Sequence, residues 1–179
     1  MSGRLLKEIS VLDGLLEAHT AELGGDFTAY RNHAYRIVNL CLAFSPDGVA
    51  QLDRIATAAA FHDMGIWTDH TFDYLQPSVR LACAHLARSG QEEWTVEITA
   101  MILEHHKISP YRENGLVERF RRADWVDVSM GLFTFGLPRE FVNEVRSTWP
   151  GAGFHKRLAQ LEFQHLKTHP WNPLPMMRL

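Results

Sequence analysis

Apolar residues recur at three- and four-residue spacing along nearly all of this 179-residue chain, without the sustained alternation of a half-buried strand. The pattern predicts an all-α protein, a single bundle of about eight helices. A first helix over about 5–22 stops at Gly24-Gly25, and Asp26 is placed to cap a second that runs to about Phe44. Ser45-Pro46 starts a third, which carries Ala56 to His62 and breaks at Gly65. Beyond a polar and aromatic loop over 66–74, Pro77-Ser78 opens a fourth helix to about Arg88, and further helices are expected over about 92–107, 114–130, 138–148 and 153–168. With 46% hydrophobic and 22% charged residues the chain can build one sizeable core, and no linker or repeat divides it. One domain over 1–179 is expected: a motif-bearing core at about 27–130, then a helical extension and an extended tail at about 138–179.

Several of these helices carry polar groups where hydrocarbon belongs. His33 lies within the stripe Tyr30, Ala34, Ile37, Cys41 and Phe44. The doublet His62-Asp63 ends a run of small residues, Ala58 to Ala60, that lets helices approach closely. His105 shares a face with Ile98, Met101 and Ile102, and His106 stands one step round the wheel, so periodicity alone leaves open which of the two faces inward. Asp124 sits in the stripe of Val117, Phe120 and Val128, where an unpaired carboxylate costs several kcal/mol, and Arg121 and Arg122 point elsewhere on the wheel. A lone inward histidine is ordinarily a hydrogen-bonded core residue. Four helices offering such groups together read as a metal site, with His85, near Ala82 and Leu86, as a further candidate ligand. Imidazoles with carboxylates suit one or two divalent transition-metal ions, Mn, Fe, Co, Ni or Zn, rather than calcium, and the absence of thiolate ligands argues against structural zinc.

Composition narrows the partners. A formal charge of −3 and the short basic cluster Arg119, Arg121, Arg122 give no footprint for nucleic acid, and no apolar run reaches membrane-spanning length. Cys41 and Cys83 lack the spacing of a metal finger or a disulfide framework, which suggests reduced core residues and a cytoplasmic setting. A small-molecule substrate is the expected partner. The apolar tail residues Trp171, Leu174, Pro175, Met176 and Met177 are expected to cover their own domain or a second subunit, and a homodimer is the preferred reading.

His33, then His62-Asp63 about thirty residues on, then Asp124 about sixty residues further, resembles the HD-domain superfamily of metal-dependent phosphohydrolases over about residues 27–130. The resemblance implies that His33, His62, Asp63 and Asp124 hold metal, that His85, His105 and His106 are similar to the additional ligands of binuclear members, and that a metal-activated water cleaves a small, nucleotide-like phosphate ester. Asp63 would then anchor or bridge the ions. Lys107 or Arg36 would hold the phosphate, and the loop carrying Thr68, Asp69, His70 and Asp73 would supply a proton donor. The chain lacks the Gly-Tyr-Pro element of the cyclic-dinucleotide phosphodiesterases. It also has Ile66 where the deoxynucleotide phosphatases carry a catalytic glutamate. Other readings implied by the same scaffold are a di-iron oxygenase, a small-molecule hydratase or lyase, and a non-catalytic regulatory module.

Overall fold

A computed structural model describes residues 5–44, 48–172 and 174–177. Among these the chain is all-helical, with eight helices of two turns or more: α1 (Ser10–Glu17), α3 (Phe27–Ala43), α4 (Leu52–Phe61), α6 (Leu75–Ser89), α7 (Thr95–Glu104), α8 (Gly115–Val128), α9 (Arg139–Thr148) and α10 (Phe154–Thr168). Two single α-turns, α2 (Thr20–Leu23) and α5 (Gly65–Thr68), and three 3-10 turns, Gly24–Asp26, Gly48–Gln51 and Glu92–Trp94, lie between them. The expected first helix is thus split into α1 and α2, and the expected start at Ser45-Pro46 lies outside the described residues.

Four helices close a ring, α3 on α4, α4 on α7, α7 on α8 and α8 back on α3. α1 packs on α4, α6 on α7, and α9 on α3. The alanines of α4 make the ring tight: Ala56, Ala58, Ala59 and Ala60 are completely buried, so backbones rather than long side chains meet there. Asn114 caps α8 by accepting from the amides of Leu116 and Val117, and Gly90 ends α6 in the left-handed region.

Two local expectations change. The Asp26 carboxylate does not cap α3; it accepts instead from Trp67 Nε1 at 3.0 Å and Arg157 Nε at 2.8 Å. Gly65 does not break α4, which already ends at Phe61, but opens α5. A Cβ there would lie 2.6 Å from the Tyr74 carbonyl oxygen and 2.7 Å from Pro77 Cβ, so glycine lets α5 touch the start of α6. The tail takes the first of the two courses expected of it, in part. Met176 is buried, while Trp171 stays exposed, so part of the tail folds back onto its own domain. Both cysteines are free, and among the described residues no helix is long and apolar enough to cross a membrane.

Candidate metal centre

Each helix of the ring delivers one part of the centre. His33 comes from the middle of α3 and Asp124 from α8, while His62-Asp63 and His105-His106 sit just past the C-terminal ends of α4 and α7. A helix C-terminus carries partial negative charge and favours a cation nearby. The two doublets use the same local device: His62 Nδ1 donates to the Ala59 carbonyl at 2.9 Å and His105 Nδ1 to the Ile102 carbonyl at 2.7 Å, each three residues back. A carbonyl only accepts, so both imidazoles carry their proton on Nδ1 and turn a lone pair on Nε2 into the ring.

His33 is oriented by a longer chain. Its Nδ1 meets the Asp127 carboxylate at 2.7 Å, and Asp127 in turn accepts from Arg36 Nη2 at 2.8 Å. Arg36 also donates to the Trp149 carbonyl at 2.9 Å. Its guanidinium is buried and committed to this clamp, which corrects the expectation that it holds a phosphate.

The inward atoms crowd one another. His33 Nε2 and His62 Nε2 are 3.0 Å apart, and the Asp63 Oδ2 oxygen lies 3.6 Å from the first and 3.4 Å from the second. Asp63 Oδ1 is 3.4 Å from His105 Nε2. Asp124 Oδ1 stands 3.8 Å from His33 and 4.0 Å from His62, and its other oxygen is 3.5 Å from His106 Nδ1. Asp63 Oδ1, Asp124 Oδ1 and His105 Nε2 are buried without a hydrogen-bond partner. Such atoms are costly unless something else satisfies them, and donors about 3 Å apart are spaced as neighbouring ligands of an ion at roughly 2.1 Å. The groups His33, His62 and Asp63, and Asp63, His105 and the half-buried His106, could therefore hold a metal ion, with Asp63 common to both.

The electrostatics agree with a site built for added positive charge. Burial opposes charge on His33, yet Asp127 and Asp63 hold its imidazole protonated up to about 9. Burial drives His62 down to about 3 and lifts Asp124 to about 7. Burial also acts on Asp63, but the neighbouring imidazoles of His62, His105 and His33 keep its carboxyl well below the usual range. Two imidazole nitrogens 3.0 Å apart need a proton or a cation between their lone pairs, and a metal ion would meet that need for the whole cluster.

A cavity of about 260 Å³ opens over the centre, with Asp63, His106 and Asp124 at its floor. The remaining expected residues lie elsewhere. His85 belongs to neither donor group; it is half-buried with its ring against Phe61. Asp69 is exposed and pairs with Arg80 at 2.8 Å. His70 lines a separate cavity of about 440 Å³ with Trp67, Arg157 and His165. Lys107 approaches Glu104 at 3.6 Å and is not among the residues lining the cavity over the centre.

Sequence reasoning missed three contributors. Asp127 follows Asp124 by three residues, so a second carboxylate on the same helical face was the available signal. Tyr74, hydrogen-bonded to His106 Nε2 at 2.6 Å, ends a loop whose path no periodicity specifies. Phe154, at the start of α10, stacks on the His33 ring at 4.1 Å, a contact across more than a hundred residues of sequence. Compared with family models, with curated proteins and with solved structures, the chain matches none.

Proposed function

We propose that this chain is a metal-dependent hydrolase of the HD type whose centre takes two divalent transition-metal ions. The observation that carries this reading is the division of Asp63: one oxygen faces His33 and His62, the other faces His105 and has no hydrogen-bond partner. His33, His62, Asp63 and Asp124 would hold one ion, and Asp63, His105 and His106 the other. When bound, such ions acidify water and polarise an electron-rich substrate atom.

The chain's own residues then have separate tasks. Asp127 and Arg36 fix the His33 ring, and the carbonyls of Ala59 and Ile102 fix His62 and His105. Tyr74 borders the cavity beside His106, and burial together with the Asp63 and Asp124 charges keeps its hydroxyl protonated. It is the proposed proton donor to a leaving group, in place of Asp69 and His70.

A phosphate ester is the substrate class that the resemblance implies. Among the described residues lining the cavity there is no lysine or arginine, so its charge would be met by the ions alone. That same observation favours a second reading, hydration or O₂-dependent oxidation of a small uncharged molecule at the same centre. Elemental analysis of the chain purified without added metal, beside a phosphatase screen with Mn²⁺, Co²⁺, Ni²⁺ and Fe²⁺, separates the two. Redox-silent ions with turnover of a phosphate ester support the first; two irons without phosphatase activity support the second. A chain that binds no metal refutes both.

A further inference from the structure

The cavity over the centre has a polar floor and walls that keep almost nothing polar for a ligand. Its sides are formed by Phe72, Tyr74, Trp125 and Val128, with Leu158 and Ala159 contributed by α10. Several heteroatoms bordering it already meet a protein partner. Tyr74 Oη is bonded to His106 Nε2, Trp125 Nε1 donates to the Lys107 carbonyl, and His155 Nε2 lies 3.2 Å from the Asp127 carbonyl oxygen. Glu162 adds a third carboxylate to those of Asp63 and Asp124, without a lysine or arginine among the described lining residues.

The fourth side is the returning tail. Leu174, Met176 and Met177 line the same cavity, and a turn from the Met177 amide to the Leu174 carbonyl at 3.1 Å shapes the strap. Met176 is only 4% exposed, so its thioether is part of the enclosure. Methionine side chains are flexible and polarisable, and they adapt to the contour of an apolar ligand.

We propose that this cavity binds a small uncharged molecule with an apolar body and one polar end directed at the centre, and that the strap over 174–177 forms its roof. The inference deepens the second of the two readings above, a small uncharged molecule at the same centre, and rests on the metal-dependent reading for the role of the floor. At about 260 Å³ the space falls below the usual range for drug-sized ligands, which limits the body to roughly a single ring or a short chain. A multiply charged phosphate compound would find no hydrogen-bonding fork along the walls, and its body would lie beside Glu162.

The test uses the full chain loaded with metal, titrated calorimetrically with benzamide, benzyl alcohol and phenyl phosphate. The neutral probes are expected to bind at least about tenfold more tightly than phenyl phosphate. Ala159→Phe fills the cavity from an exposed position of α10 and should weaken benzamide binding by about tenfold or more, with metal content unchanged. Met177→Trp should do the same from the strap. If one variant fails to fold, the other decides the matter. Absence of saturable binding by either neutral probe overturns the proposal, as does phenyl phosphate binding as tightly as they do, or unchanged benzamide binding in the folded variants. Metal content is measured on the same samples. A metal-free chain whose benzamide binding is lost in Ala159→Phe supports the cavity while refuting the hydrolase, and a metal-loaded chain that ignores the neutral probes does the reverse.

Discussion

The helical ring of α3, α4, α7 and α8 and the C-terminal arm of α10 with its strap border the same cavity, yet they are held in opposite ways. The ring buries polar groups and fixes most of them with named partners, Asp127 for His33, Arg36 for Asp127, backbone carbonyls for His62 and His105, leaving Asp63 Oδ1, Asp124 Oδ1 and His105 Nε2 for a cation. The arm buries little. In α10 Phe154 is fully enclosed, whereas Phe163 and Leu166 are exposed, and Met176 is the buried point of the strap. The difference separates two requirements: ligands for a cation need positions fixed by hydrogen bonds, and a wall for a ligand needs only apolar surface that can adjust.

The comparison breaks first at Asp63. Asp63→Ala should remove both ions and reduce any metal-dependent turnover at least about a thousandfold, read by elemental analysis and rate. Full metal content in that variant would end the claim that the two donor groups share it. Next, Arg36→Met leaves Asp127 buried without its guanidinium and should destabilise the chain by about 3–5 kcal/mol in denaturant unfolding. A smaller loss would mean that the ring tolerates an unanswered charge.

For the arm, Phe154→Ala opens a space beside His33 and should lower stability by about 3 kcal/mol, the largest effect expected of a single change in α10. Glu118 on α8 sharpens the ring's electrostatics. Burial opposes its charge, but Arg121, the Tyr111 amide and Arg122 hold its carboxyl down to about 2 from an ordinary 4.5. A lowered folded pKa contributes stability above the unfolded value and loses it on acidification. The advantage of the wild-type chain over Glu118→Gln should therefore be complete above pH 4.5 and fade as the pH falls towards 2, as followed by circular dichroism. At the small end, Trp171→Ser, at a position 97% exposed, should change stability by less than about 0.5 kcal/mol.

Helical periodicity alone made the bundle and the inward setting of His33 and Asp124 legible, because an apolar stripe reports which face is buried. It set His62-Asp63 at a helix end but carried His105 and His106 inside a helix over about 92–107, where α7 already stops at Glu104, and it could not choose between them, since the choice depends on how the chain turns after α7. Here His105 presents Nε2 and His106 presents Nδ1, so both reach the centre. His85 misled for a related reason: Ala82 and Leu86 are buried on α6, but the position between them lies at the edge of that face and meets Phe61. The role of Arg36, and the surface that the apolar tail covers, were illegible, because both depend on partners far away in sequence. A basic residue on a buried helix reads equally well as a ligand for phosphate or as a clamp, and only the position of Asp127 decides.

The Arg36–Asp127 pair spans 91 residues, and Arg36 reaches the Trp149 carbonyl across 113. During synthesis, α3 leaves the ribosome with a cationic group that its own neighbourhood cannot neutralise, and the carboxylate that answers it arrives only with α8. Until then the side of α3 that α8 will cover is expected to stay hydrated around that guanidinium, because burying it alone is costly. The clamp that orients one imidazole thereby ties the closing of the centre to the arrival of the second half of the chain.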